Sequence, residues 1–237
     1  MIDFFKKLYA LPFVLGAWGW LAFSGIFAYL YFLAAGFKEE QVRSFLYFQG
    51  KVIQLAILGA SAFRKKLIRN GQILKPSILA ANHPCAYDTF LFFDFGIKNL
   101  VCIAKGWPFK IPIYGSLIEK AGYINSDNKT AAEIVNLARE KLKQGLHIGI
   151  FPEGTRSSKI GRFRSLAFEI SLKTGADIVP FAIKGLDKML APKAFFAKLA
   201  AVSYIQLAPV SPEEFYGKEA GALRMAQYVK SLIVEKL

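Results

Sequence analysis

The sequence predicts an α/β fold in which a mixed, largely parallel sheet is flanked by helices, with two further apolar helices at the N-terminus. After Lys75, short apolar runs alternate with helical periods, as expected when strands and helices alternate along a chain. Before Lys75, apolar segments dominate, and no charged residue occurs over the 30 positions from Leu8 to Phe37. A chain of 237 residues can hold one substantial domain and a smaller appendage. We therefore expect apolar and basic helices over residues 1–67 and the α/β domain over residues 68–237.

The N-terminal segment has the length and the charge pattern of a membrane anchor. Its uncharged run is longer than the ~20 residues with which a helix crosses the hydrocarbon layer. A second apolar segment, from Phe45 to Phe63, contains polar residues and is followed by Arg64-Lys65-Lys66. This pattern is typical of an amphipathic or re-entrant helix whose basic end meets lipid head groups. Because Lys6-Lys7 precede the first segment, the positive-inside rule predicts that both outer ends lie on the cytoplasmic side.

We therefore expect a two-helix anchor in the cytoplasmic membrane, with the α/β domain facing the cytoplasm. The pattern leaves open whether the first helix spans the membrane or lies in its interface. A cleaved signal peptide is the alternative, because Ala34-Ala35-Gly36 could form a cleavage site, although the apolar run is long and aromatic for a signal peptide.

The composition favours an anionic membrane surface over nucleic acid as the partner of this chain. Lys and Arg number 31 against 17 Asp and Glu, which gives a net charge of +14, while 54% of the residues are hydrophobic. Basic residues interleaved with membrane-length apolar runs are typical of proteins that bind anionic lipid. The two cysteines, Cys85 and Cys102, form neither a disulfide framework nor a metal-ligand pattern. We therefore expect a reducing compartment and no metal site.

Strands and helices alternate regularly after the N-terminal segment. The clearest helix begins at Thr130, where Thr130-x-x-Glu133 forms a capping box, and it ends before Gly145. Another helix ends in the same way before Gly175. The predicted strands are 77–81, 100–104, 147–151, 178–183 and 202–207, and the predicted helices are 89–95, 130–144, 165–174 and 220–234.

The first candidate site is Asn82-His83-Pro84-Cys85-Ala86-Tyr87-Asp88, which directly follows a predicted strand. If the chain turns at Pro84, the Asp88 carboxylate can bind one imidazole nitrogen of His83 and leave the other facing a cleft, as a general base requires. The alternative is a buried histidine that caps a turn and has no chemical role. Cys85 could instead act as the nucleophile of a Cys–His pair, but nothing in the sequence marks it as a reactive thiol, so loop packing is favoured.

The second candidate site is Phe151-Pro152-Glu153-Gly154-Thr155-Arg156-Ser157, which also follows a predicted strand. Gly154 lets the backbone bend around a ligand, Thr155 supplies a hydroxyl, and Arg156 can make bidentate contact with a phosphate. Glu153 could hydrogen-bond a substrate hydroxyl or hold the loop shut. Lys105, at the end of another predicted strand, is a candidate second phosphate contact. Because open α/β sheets bind ligands beyond the carboxyl ends of their strands, the two motifs predict an enzyme that deprotonates a hydroxyl on a phosphorylated substrate.

These motifs resemble those of the glycerolipid acyltransferase family. The asparagine-led His-x4-Asp, the block from Lys105 through Pro112 to Gly115, Phe-Pro-Glu-Gly-Thr-Arg-Ser, and Ile178-Val179-Pro180-Phe181 occur in the order and spacing of that family. The resemblance covers about residues 70–190, and the N-terminus is similar to the two-helix anchor of the bacterial 1-acyl-glycerol-3-phosphate acyltransferases. The chain departs from the common pattern at Pro84-Cys85-Ala86, and at Phe163-Arg164-Ser165-Leu166, where members often have a Phe-Lys-Lys-Gly-like stretch.

The resemblance implies an activity and a role for each candidate residue. The implied reaction is acyl transfer from acyl-ACP or acyl-CoA to the sn-2 hydroxyl of lysophosphatidate, giving phosphatidate in phospholipid biosynthesis. His83 would be the base and Asp88 its orienting partner. Arg156 and Lys105 would bind the phosphate of the acceptor. Together with the loop residues discussed above, the expected substrate-binding residues are Lys105, Glu153, Gly154, Thr155 and Arg156.

The implied reaction also sets expectations for cofactors and partners. No metal or other cofactor is expected, because the thiolate of a thioester is a good leaving group. Both donors are anionic, and the positive charge of the chain would attract them, with acidic acyl carrier protein as an expected partner. The alternatives are an acyltransferase for another lysolipid, such as a lyso-ornithine lipid, and a non-enzymatic membrane protein that binds anionic lipid.

Overall fold

Seven strands form one mixed sheet in the part of the chain that the computed structural model describes, residues 2–191 and 197–237. They are β1 (Lys65–Arg69), β2 (Ile78–Ala81), β3 (Leu100–Ala104), β4 (Ile124–Asn125), β5 (His147–Ile150), β6 (Ile178–Lys184) and β7 (Val202–Gln206). Their order in the sheet is β1-β7-β6-β2-β5-β3-β4. The strands from β6 to β4 run parallel, whereas β7 pairs antiparallel with β6 and parallel with β1. This topology confirms the predicted mixed, largely parallel sheet.

The helices alternate with the strands, as the sequence predicts. They are α1 (Ile2–Ala35), α2 (Glu39–Ala60), α3 (Leu91–Asp94), α4 (Tyr114–Lys120), α5 (Ala131–Lys143), α6 (Leu166–Thr174), α7 (Leu186–Met189) and α8 (Gly221–Val234). The predicted capping box forms at the start of α5, where the Thr130 hydroxyl accepts the N–H of Glu133 and the Glu133 carboxylate accepts the N–H of Thr130. Gly145 and Gly175 follow α5 and α6 with φ values of 82° and 74°, the left-handed conformation that ends a helix.

The two faces of the sheet are covered by different helices. Alternate residues along a strand point to opposite faces, so each strand contributes to two separate cores. On one face, Ile78 and Ile148 share a buried cluster with residues of α5, α6 and α8. On the other face, Leu79 and Phe181 share a buried cluster with residues of α1, α2 and α3. The N-terminal helices therefore lie against one face only.

The N-terminal helices differ in how much of their surface the protein covers. Within the described ranges, α1 is the one helix long and apolar enough to cross a membrane, and its outer side exposes aromatic side chains such as Trp18, Phe23 and Phe27. α2 is amphipathic and buries Val42 and Ile53 among its inward-facing residues. The described residues thus contain one helix of membrane-spanning character, and an anchor made of two helices stays a prediction.

The start of α1 is fastened to the segment that precedes β7. The N–H of Leu199 donates to the carbonyl oxygen of Lys6 at 3.1 Å, and Lys198 Nζ lies 2.9 Å from Asp3 Oδ1. α1 also packs along α2, which in turn contacts α3 and α4. The N-terminal helices are therefore joined to the α/β domain at several points along their length.

β1 corrects part of the expectation for the basic run that follows α2. The sequence interpretation places Arg64-Lys65-Lys66 at lipid head groups, but Lys65 begins β1 and its side chain is only 9% exposed. Its Nζ lies 2.7 Å from Asp94 Oδ2 and donates to the carbonyl oxygen of Gln54. These partners compensate the charge of Lys65 and so permit its burial inside the fold. The predicted boundary between residues 67 and 68 lies within this strand.

Candidate active site

Three loops meet at the carboxyl-terminal ends of neighbouring strands, which form the edge of the sheet that carries the candidate site. β2, β5 and β3 are neighbours and run parallel, so the segments that follow them leave the sheet side by side. Two contacts join these segments: the N–H of Ser157 donates to the carbonyl oxygen of His83 at 3.0 Å, and the Arg156 guanidinium lies 5.4 Å from the centre of the Trp107 ring. The loop after β3 also carries Lys105. The fold therefore brings both sequence motifs and the lysine block to one place.

His83 and Asp88 form a hydrogen-bonded pair in the loop after β2. His83 Nδ1 lies 2.8 Å from Asp88 Oδ2, and the backbone N–H of Cys85 donates to the same oxygen at 2.9 Å. The Asp88 side chain is fully buried. Burial raises the pKa of this carboxyl group above its usual range, although the hydrogen bond from His83 opposes the shift.

The remaining imidazole nitrogen of His83 is open to a substrate. A carboxylate at Nδ1 favours the tautomer that carries its proton there, which leaves the lone pair on Nε2. Nε2 accepts no hydrogen bond from any residue in the described ranges, and the side chain is 16% exposed. The pair thus has the arrangement that the sequence predicts for a general base.

Two neighbours that the sequence analysis left without a role hold His83 in place. Asn82 extends the pairing of β2 with β6 through its side chain: Nδ2 donates to the carbonyl oxygen of Ile183 at 3.0 Å, and Oδ1 accepts the N–H of Ile183 at 2.7 Å. The Phe151 ring stacks on the imidazole, with 4.3 Å between ring centres and 18° between planes. The strand-pairing role of Asn82 could be anticipated from the sequence, because an amide residue stands at the end of a buried strand, next to the histidine.

Cys85 packs inside the loop. Its side chain is fully buried, and burial raises the pKa of its thiol to about 12, so that the thiolate is scarce at neutral pH. Its Sγ accepts the N–H of Tyr87 at 3.5 Å. These features favour loop packing over a Cys–His nucleophile.

Glu153 lies between the two motif loops. Its side chain is buried, with Oε1 accepting the N–H of His83 at 2.8 Å and Oε2 accepting the N–H of Gly161 at 2.7 Å. A Cβ at Gly161 would lie 3.2 Å from Oε2, so the glycine permits this close approach. Because both carboxylate oxygens bind backbone amides, the geometry favours the loop-holding role of Glu153 over contact with a substrate hydroxyl.

The side chains predicted to bind the substrate phosphate are exposed to solvent. Thr155, Arg156 and Lys105 are all exposed. Arg156 makes a cation–π contact with Trp107, which holds the guanidinium without neutralising it. Gly154 has a φ of 67°, a conformation that favours glycine, and a Cβ there would lie 3.1 Å from Arg164 Nε. The backbone therefore bends at Gly154, as the sequence predicts.

The rest of the lysine block shapes its own loop. Ile113 has a φ of 66°, and a Cβ at Gly115 would clash with the carbonyl oxygen of Phe109. Gly115 is thus required by the tight start of α4 and not by a ligand. The described residues contain no group of three or more His, Cys, Asp or Glu side chains placed to hold a metal ion.

Comparison with known proteins places both motif loops in one family. The sequence profile of the Acyltransferase family matches residues 63–184. Over 120 residues the chain is 31% identical to the chloroplastic 1-acyl-sn-glycerol-3-phosphate acyltransferase of Arabidopsis thaliana, covering 48% of this chain and 33% of that protein. Over 167 residues it is 26% identical to the 1-acyl-sn-glycerol-3-phosphate acyltransferase of Escherichia coli K12, covering 68% of this chain and 66% of that protein. The chain thus spans less than the full length of either relative.

A solved structure shares the whole fold. The crystal structure of the 1-acyl-sn-glycerophosphate acyltransferase PlsC from Thermotoga maritima matches with a TM-score of 0.70, covering 100% of this chain and 96% of that chain at 24% identity. The family profile covers more than half of the 237 residues and includes both the His83–Asp88 loop and the Arg156 loop. The chain therefore belongs to the acyltransferase family.

Proposed function

We propose that the protein transfers an acyl chain from a thioester donor, acyl-ACP or acyl-CoA, to the sn-2 hydroxyl of lysophosphatidate, giving phosphatidate for phospholipid synthesis. The observation that carries the proposal is the His83–Asp88 pair, whose open Nε2 lies at the sheet edge that also presents Arg156. Membership of the acyltransferase family supports the type of reaction, and the names of the two relatives support the acceptor.

His83 acts as the general base in this reaction. Its Nε2 takes the proton of the acceptor hydroxyl while the hydroxyl oxygen attacks the carbonyl carbon of the thioester. Asp88 keeps the Nδ1 proton in place and stabilises the imidazolium that forms. The C–S bond then breaks, the leaving thiolate takes the proton from Nε2, and the products are an ester and a free thiol. General base catalysis of this kind contributes roughly 10²–10⁴-fold to the rate.

Arg156 and Lys105 bind the phosphate of the acceptor. Both side chains are exposed; Arg156 lies in the loop that is hydrogen-bonded to the His83 loop, and Lys105 lies in the loop whose Trp107 contacts Arg156. The contact with Trp107 limits the orientations of the guanidinium before the ligand arrives. The hydroxyl of Thr155 adds a further donor. Glu153 and Gly154 serve binding indirectly, because they fix the path of the backbone that carries Thr155 and Arg156.

Residues 1–67 hold the catalytic part on the cytoplasmic surface of the membrane. The exposed aromatic side of α1 supports insertion into lipid, and α2 supports the connection to the sheet, since its inner side is buried in the protein. A lysolipid acceptor then reaches His83 from the leaflet on the α1 side. The anionic head groups add attraction for the basic surface.

A direct assay tests this function. Purified full-length protein in phosphatidylglycerol vesicles is given each labelled acyl thioester with lysophosphatidate, a lyso-ornithine lipid or a neutral lysophospholipid. We expect the highest kcat/KM with lysophosphatidate. A higher kcat/KM with another lysolipid would replace the acceptor, and lipid binding without any acyl transfer would favour the non-enzymatic alternative.

A further inference from the structure

The loop that follows β5 is unusually basic. Between Gly154 and Phe168 it contains no acidic residue and four basic ones, Arg156, Lys159, Arg162 and Arg164. All four side chains are exposed. None of them forms an ion pair with another residue in the described ranges. Since Arg156 is already assigned to the acceptor phosphate, the other three basic side chains are left without a role.

The distal part of this loop, from Ile160 to Phe163, lies on the face of the sheet opposite the N-terminal helices. Ile160 is packed against the buried cluster of α5, α6 and α8, and Phe163 belongs to it. The cluster on the opposite face of the sheet contains the buried residues of α1 and α2. The segment that carries the exposed residues Lys159 and Arg162 is therefore packed on the face of the sheet opposite the proposed membrane helix.

The composition of the loop also separates it from the membrane-facing surface. The outer side of α1 exposes many aromatic residues. Between Ser157 and Arg162, in contrast, Ile160 is the one large apolar residue, and it is partly buried. Insertion into lipid needs exposed apolar side chains, whereas docking of an acidic soluble protein needs accessible positive charge.

We propose that Lys159 and Arg162, with Arg164 beside them, form the docking surface for acidic acyl carrier protein. The inference rests on the proposed function and names the entry side of its donor. Carboxylates of the carrier would steer toward these unpaired bases, since complementary charge accelerates encounter. The loop is bonded directly to the catalytic loop through Ser157 and Glu153, so a carrier bound there presents its thioester close to His83. Acceptor and donor thus reach the base from opposite sides.

The test compares charge reversal at two places on the full-length protein in vesicles. The docking variant is Lys159→Glu with Arg162→Glu. The matched control is Lys143→Glu with Lys173→Glu, which makes the same change in net charge at exposed positions near the ends of α5 and α6, remote from the site edge. Each protein is assayed with acyl-ACP and with acyl-CoA of the same chain length. Binding of purified carrier protein and sedimentation with vesicles are measured separately.

We expect the docking variant to raise the KM for acyl-ACP by about tenfold or more, with a weaker dependence on salt, because steering by charge accounts for gains of this size. Its kcat/KM with acyl-CoA, its kcat and its vesicle binding should match those of the control. Equal loss with both donors, loss of vesicle binding, or unchanged acyl-ACP kinetics would each overturn the docking surface. Absence of acyl transfer by the wild-type protein while the carrier still binds would instead refute the proposed function.

Discussion

Replacement of Glu153 tests how the two motif loops are held in register. Glu153 accepts one hydrogen bond from the His83 N–H and one from the Gly161 N–H, at 2.8 Å and 2.7 Å. Hydrogen bonds to an ionised group contribute about 1.5–3 kcal/mol each. In Glu153→Gln the amide oxygen can serve one of these donors, but the amide NH2 faces the other, so we expect a loss of about 1.5–3 kcal/mol in the free energy of unfolding. Glu153→Ala removes both bonds and should lose about twice that amount.

The rate should fall with the stability, because the His83 backbone is one of the two bonded groups. A misplacement of about 1 Å at a reacting group can lower the rate by about 10²-fold, and we expect Glu153→Gln to lower kcat by about 10–100-fold. The KM for lysophosphatidate should change less, since no contact between Glu153 and the acceptor is assumed.

A 2-deoxy analogue of lysophosphatidate separates loop holding from substrate contact. The analogue lacks the reacting hydroxyl, so it binds as an inhibitor. If Glu153 only holds the loops, Glu153→Gln changes the affinity for the analogue and for lysophosphatidate by the same factor. The reasoning would be refuted if Glu153→Gln lost affinity for lysophosphatidate alone and if hydrogen exchange of the backbone amides in both loops stayed unchanged. Glu153 would then contact the substrate hydroxyl.

Four further substitutions test the remaining residues. His83→Ala should lower kcat by roughly 10²–10⁴-fold at unchanged thermal stability, and near-normal turnover would exclude His83 as the base. Asp88→Asn should also lower kcat severely. Because burial raises the pKa of Asp88, the folded wild type binds this proton more tightly than the unfolded chain, and it loses stability as pH rises from the unfolded pKa of about 4 to the raised folded pKa. The Tm of the variant minus the Tm of the wild type should therefore increase with pH over that interval. Cys85→Ala should leave kcat unchanged and cost about 1 kcal/mol of stability, whereas loss of all activity would revive the covalent mechanism. Arg156→Ala should lower kcat/KM for lysophosphatidate by roughly 30–150-fold, equivalent to about 2–3 kcal/mol, and affect a lysolipid without a phosphate monoester much less.

Local signals were sufficient for the central part of the fold. The capping box at Thr130 and the glycines after α5 and α6 each depend on residues within a few positions, and these helices form as predicted. The sheet-end motifs were found for the same reason, since a buried strand followed by polar residues can be read from adjacent positions. His83, Asp88 and Arg156 then meet because parallel strands release their loops at one edge.

The elements that the sequence did not predict depend on distant partners. β1 is a basic edge strand whose first residue is stabilised by Asp94, and its run of charges resembles a helix end at a membrane. β4 has two residues, too few for a periodic signal. The loop-holding role of Glu153 depends on His83, 70 positions away in the sequence, and sequence pattern alone could not choose between its two roles.

The fastening of α1 at Lys6 and Asp3, together with the buried side of α2, makes the proposed anchor a rigid mount and not a flexible tether. In the proposed function, the height of His83 above the lipid is then determined by side-chain packing, and the protein does not bend to follow an acceptor that lies deeper or shallower. The depth to which lipid admits the exposed side of α1 becomes a variable of the proposed reaction, because a change in that depth displaces the helix and the catalytic edge together. A membrane that admits this side to the right depth would place the sn-2 hydroxyl level with the base, and a membrane that admits it less or more deeply would slow acylation without any change in the protein.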